Sequence, residues 1–92
     1  QLVLDKGAVR VVCQSGRSLL PVGVTGVIGE FLRGDLVRCV DPEGNEVARG
    51  LSNYDAADAK KLLGRASTEI EDILGFGGDE ELIHRDNLIT TR

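Results

Sequence analysis

Asp41-Pro42-Glu43-Gly44 constrains this chain more than any other stretch. Asp at the first position, Pro at the second and Gly at the fourth are what a type I turn asks for. The turn stands between two short runs that read as strands, Leu36 to Val40 and Glu46 to Leu51. The chain therefore doubles back here as an antiparallel hairpin, and the fold must contain a sheet.

The remaining segments have to fit around that hairpin. Leu4 to Gly16 reads as a helix, with Asp5 as N-cap and Gly16 as C-terminal stop. Leu4 and Val9 stand where a hydrophobic staple needs them. Val9, Val11 and Val12 are β-branched and also suit a strand. Arg17 to Gly23 is an apolar, Pro-containing loop, and Val24 to Ile28 reads as a strand. Gly23, Gly26 and Gly29 at short spacing suit a strongly curved sheet. Arg33-Gly34-Asp35 is a turn. One helix carries Ala56, Ala59, Leu62 and Leu63 on its buried face, capped by Ser52 or Asn53 and ended by Gly64. A second opens with Ser67 or Thr68, pairs Thr68 with Glu71 at capping-box spacing, and ends at Gly75. Leu82 to Thr90 is extended, with a break at Asp86-Asn87. Helix, short strands, helices and strand in that order exclude a regularly alternating parallel sheet. They fit a small α+β domain on a curved, mixed or barrel-like sheet.

With 92 residues there is room for one domain. The chain opens on Gln1 and lacks Met, as expected of a fragment of a longer protein. No stretch approaches the length of apolar sequence that spans a bilayer. The net charge of −4 is uneven. Residues 1–40 carry five basic and three acidic side chains, and residues 41–92 carry six basic and twelve acidic ones. An acidic balance disfavours non-specific nucleic-acid binding, which depends on neutralising phosphates.

Little here points to chemistry. The glycines match neither a phosphate-binding loop nor the dinucleotide fingerprint. His84 is the only histidine and has no nucleophile near it in sequence. Two cysteines, Cys13 and Cys39, sit among valines and read as reduced core thiols. With one His they fall short of a zinc ligand set. The acidic runs Asp79-Glu80-Glu81 and Glu69, Glu71, Asp72 read as a solvated face. Three aromatic residues, Phe31, Tyr54 and Phe76, are too few for a base-stacking platform. The segment Arg17 to Gly26 is the better binding candidate, because a backbone-rich loop carrying Arg can approach a phosphate backbone.

Longer strings then carry a resemblance. Asp5-Lys6-Gly7-Ala8, Gly16-Arg17-Ser18-Leu19-Leu20-Pro21-Val22-Gly23-Val24, Gly29-Glu30-Phe31 and Arg33-Gly34-Asp35-Leu36-Val37 resemble the PUA domain family. Ala48-Arg49-Gly50-Leu51-Ser52-Asn53-Tyr54 and Ile83-His84-Arg85-Asp86-Asn87-Leu88 are similar to the C-terminal PUA modules of the bacterial glutamate 5-kinase family. The likeness runs from about Leu2 to Ile89. It implies a β-rich α+β fold, a curved mixed sheet or pseudo-barrel with flanking short helices, as one PUA domain over residues 1–92. It implies a cytoplasmic parent chain whose preceding amino-acid-kinase domain uses ATP and Mg to phosphorylate the side-chain carboxylate of glutamate, for proline synthesis. The module itself is then expected to hold no catalytic, cofactor-binding or metal-binding residue. Its implied partners are its own kinase domain, neighbouring subunits of the parent and structured RNA, and not a membrane. The implied contact residues are Arg17, Ser18, Leu20, Pro21 and Gly23 of the loop, with His84 and Arg85 near the end.

Overall fold

A computed structural model describes residues 1–92. In chain order the regular elements are β1 (Leu2–Leu4), α1 (Lys6–Ser15), β2 (Val24–Val27), β3 (Leu36–Val40), β4 (Glu46–Leu51), α2 (Ala56–Lys61), α3 (Ile70–Leu74) and β5 (Leu88–Thr90). Short 3-10 turns fill Pro21–Gly23, Ser67–Glu69 and Arg85–Asn87.

The β3–β4 hairpin has the expected bounds. The Gly44 N–H donates to the Asp41 carbonyl at 2.9 Å and closes the turn. Gly44 has φ of 89°, a left-handed conformation that costs a residue with a side chain about 1 kcal/mol. One oxygen of the Asp41 carboxylate accepts from the N–H groups of Glu43 (3.0 Å) and Asn45 (2.9 Å). Those bonds, Asn45's foremost, hold its carboxyl below the ordinary range. Pairing runs from Leu36 opposite Leu51 to Cys39 opposite Ala48, then slips between Cys39 and Val40. The slip is a bulge, which sharpens local twist.

Five strands form one sheet in the order β2-β1-β3-β4-β5. β1 runs parallel to β3, and the other neighbours are antiparallel. The sheet is mixed because the connection over residues 28–35 carries the chain from β2 across to the far side of β1, where β3 runs parallel to β1. Alternation along the strands points Leu2, Leu4, Val37, Cys39 and Ala48 to one face, where all are buried. Val9 and Val12 of α1, Ala56 and Ala59 of α2, and Ile70 of α3 share that core. No helix is long and apolar enough to cross a membrane.

The structure moves several expected boundaries. Leu4, expected within the first helical segment, instead ends β1, which is drawn between β2 and β3 as a strand. Asp5 caps α1 as expected, accepting from Ala8 N–H at 2.7 Å, and Gly16 ends it at φ of 60°. The cap of α2 is Asp55, which accepts from Asp58 N–H at 2.8 Å. Ser52 and Asn53 are engaged elsewhere: the buried Ser52 hydroxyl donates to the Tyr54 carbonyl at 2.6 Å, and the Asn53 amide donates to the Glu81 carbonyl at 2.9 Å. At the last helix, Glu69 reaches back to the Ala66 N–H at 2.9 Å, in place of the Thr68–Glu71 pairing. Cys39 lies in the core, and burial pushes its thiol up to about 12. Cys13 is half-buried, with its thiol 3.8 Å from the Val47 carbonyl.

Candidate partner-binding groove

Two segments far apart in sequence meet beside α1. The Leu19 N–H donates to the Ile83 carbonyl at 2.9 Å, and the Leu82 N–H donates to the Leu19 carbonyl at 2.8 Å. Leu19, Leu82 and Ile83 are buried, so apolar contact and backbone pairing reinforce one another. The Ser18 hydroxyl accepts from the Arg85 N–H at 2.8 Å and fixes the chain as it leaves this bridge. On the other side, the Gly23 carbonyl accepts from the Asp5 N–H at 2.9 Å. A Cβ on Gly23 would lie 2.6 Å from that of Ala8, so only glycine lets the loop sit this close to α1.

The result is a broad open groove of about 1200 Å³ between α1, the 17–23 loop and residues 81–85. Arg17, Ser18, Leu20, Gly23, His84 and Arg85 line it together. Pro21, the seventh expected contact residue, does not line it. Its ring is buried and its carbonyl accepts from the Gly64 N–H at 3.2 Å, so it anchors the loop. Sequence reasoning missed Val11, which with Val22 of the expected loop gives the groove its exposed apolar floor, and Glu81, which adds negative charge. For Val11 a signal existed: Gly7, Ala8, Val11 and Ser15 recur at helical spacing along one face of α1.

The groove holds no reactive pair. The Ser18 oxygen is occupied by the Arg85 N–H. His84 Nδ1 accepts from the Asp86 N–H at 3.1 Å, which leaves the other ring nitrogen to carry the proton when the ring is neutral. Asp86 itself lies 3.5 Å from Nδ1, close enough to pair with a protonated ring. Nowhere do three His, Cys, Asp or Glu side chains converge as a metal-binding set. Arg17 and Arg85 face Asp5 and Glu81, so the charge of the lining is nearly balanced. A groove of mixed charge with an apolar floor binds by shape and a few hydrogen bonds more than by field strength.

This architecture is that of a PUA domain. The PUA domain family matches residues 1–74, and the chain belongs to it. Two solved PUA structures share the fold. One, from Aeropyrum pernix K1 and crystallised as a tartrate complex, superposes with a TM-score of 0.65 at 23% identity, over 90% of this chain and 40% of its own. The other, a PUA domain protein from Thermoplasma acidophilum, gives 0.62 at 20% identity, over 90% of this chain and 46% of its own. Among proteins with curated descriptions, the glutamate 5-kinase of Hahella chejuensis is 63% identical over 97% of this chain and 23% of its own length. That of Nitrosospira multiformis is 58% identical over 96% of this chain and 24% of its own. The chain therefore spans about a quarter of the length of these relatives.

Proposed function

We propose that this chain is the non-catalytic C-terminal PUA module of a glutamate 5-kinase. The observation that carries the reading is the 63% identity over 97% of the chain to one such enzyme. In this reading the kinase domain precedes the module in the same cytoplasmic chain and holds ATP, Mg and glutamate, making glutamate 5-phosphate. The module tunes that enzyme through contacts with its kinase domain and with neighbouring subunits. The lack of a nucleophile–base pair in the groove is consistent with this division of labour. The test is to delete residues 1–92 from the full-length enzyme. The expected outcome is retained glutamate phosphorylation with altered feedback response or assembly state. Loss of all turnover in a kinase domain that remains folded would overturn the reading.

A second reading is favoured by the groove itself. Arg17, Ser18, Leu20, Gly23, His84 and Arg85 converge on one accessible surface, and two guanidinium groups flank its apolar floor. Such a surface suits structured RNA, with arginine on phosphate and the loop backbone against the nucleic acid. Titration of a labelled structured RNA at low salt tests it. Affinity that falls with added salt and again with Arg17→Ala supports it, and no binding at low ionic strength removes it.

A further inference from the structure

The helices cover one face of the sheet, and the other carries a pattern that neither the groove nor the hairpin explains. Gln1 and Ile28 exchange backbone hydrogen bonds, the Gln1 amine to the Ile28 carbonyl at 2.7 Å and the Ile28 N–H to the Gln1 carbonyl at 2.9 Å. Leu2 pairs with Cys39, which places Gln1 beside Arg38. Arg38 faces Arg49, and Arg49 faces Ile89. Ile28, Gln1, Arg38, Arg49 and Ile89 thus form one rung across all five strands. The neighbouring residues Leu2, Cys39 and Ala48 point into the core, so this rung points outward. Leu36 opposite Leu51 makes the adjacent outward rung.

A solvated sheet face ordinarily carries polar side chains. Here Ile28, Leu36, Leu51 and Ile89 are 54%, 62%, 42% and 66% exposed. Between them, Arg38 and Arg49 are held in place by one shared acceptor. Each donates its Nε to the same oxygen of Glu46, at 2.6 Å and 3.0 Å. Two guanidinium groups on one carboxylate leave a net positive charge and unused donors facing out. Ordered arginines framed by aliphatic side chains are the composition of an interface core.

We propose that this outer sheet face docks the module onto the domain that precedes Gln1 in the full-length chain, against a surface of aliphatic side chains that supplies at least one carboxylate to Arg38 and Arg49. The proposal rests on the kinase-module reading for the identity of that domain. Two observations choose this occupant. The relatives are about four times as long as the matched region, so most of such a protein lies outside this fold. Gln1 itself lies in the rung, next to Arg38 and Ile28, so a chain leading into β1 reaches the fold at the border of this face.

The test uses the full-length enzyme with Cys13→Ser, carrying Leu36→Cys, Leu51→Cys or, away from the face, Phe76→Cys. All three positions accept an exposed side chain. Labelling by a thiol reagent is followed by mass spectrometry of the peptide that carries each position. The expected result is labelling at Leu36→Cys and Leu51→Cys at least tenfold slower than at Phe76→Cys, relieved by adding Arg38→Glu with Arg49→Glu. Equal rates at all three, or protection indifferent to that charge reversal, overturns the proposal. So does protection that disappears on dilution, which assigns the face to a second copy. Turnover of glutamate and ATP in the same preparation reads the kinase assignment separately. The labelling ratio reports docking whatever that preceding domain does.

Discussion

The β3–β4 hairpin and the Ser18–Arg85 clasp are both secured by ordinary hydrogen bonds, yet they close loops of very different size. Arg38 and Glu46 of the hairpin are 8 positions apart, whereas Ser18 and Arg85 of the clasp are 67 apart. Loop-closure cost rises only slowly with length, but the clasp gets no help from a turn that pre-sets its geometry. Its support is burial: Leu19 is 1% exposed, and Leu82 and Ile83 are fully buried. The hairpin is encoded locally and should tolerate loss of a core contact. The groove exists only while the core behind it is intact.

Four substitutions or conditions sharpen that contrast, taken from the largest effect downward. Ile83→Ala empties a fully buried site behind the clasp and is expected to cost about 3–4 kcal/mol, read as a lower urea midpoint. Amide exchange at Leu19 and Leu82 should rise more than at the hairpin. If hairpin and clasp amides lose protection equally, the contrast fails. Gly50→Ala comes next. Its Cβ would lie 2.6 Å from the Asn87 carbonyl oxygen and 2.6 Å from an Ile83 methyl, so the β5 side must shift, at about 2 kcal/mol. This variant joins the two regions, because Gly50 belongs to β4 but the clash falls on the clasp.

Gly44→Ala tests the hairpin alone. Nothing lies within 4 Å of the added carbon, so the cost comes only from the positive φ and is expected to be about 1 kcal/mol. Chemical shifts of Ser18, His84 and Arg85 should not move. The mildest effect concerns pH. Hydrogen bonds from Thr91, then Arg38 and Arg49, hold the Glu46 carboxyl at about 2, against an ordinary value of 4.5. A depressed carboxyl stabilises the fold above its ordinary value and loses that contribution as pH falls toward the folded one. The stability gap between the wild-type chain and Glu46→Gln should therefore narrow from pH 4.5 to about 2, as followed by thermal unfolding. A gap independent of pH over that range would mean these pairs add nothing.

The same contrast explains which parts of the structure could be read in advance. β3, β4 and their turn kept the expected bounds, because Asp41, Pro42 and Gly44 act on their immediate neighbours. Gly16 and Gly75 stopped their helices in the left-handed conformation, again a property of one residue and its neighbours. The caps were harder. Asp55 displaced Ser52 and Asn53 because those two side chains are consumed by Tyr54 and Glu81, partners that the local sequence does not reveal. β1 is not legible in the sequence, where only Leu4 is assigned and is placed with the helix, since three residues show strand character only once two other strands flank them. Six of the seven residues named from family likeness line one groove, whereas Pro21 is buried and shares the Gly64 N–H with the Val24 carbonyl.

Sequence alone determined the hairpin and the helix stops at Gly16 and Gly75, since each depends on residues within a turn of one another, whereas α2 ends at Lys61, short of the expected Gly64. Tertiary structure decided the strand order, the convergence of Arg17 with Arg85 and the outward rung from Ile28 to Ile89. These join residues through a shared core, and the free energy that brings them together comes from burying side chains elsewhere in the chain. No local pattern records that, because the side chains that stabilise each contact are not the ones that make it.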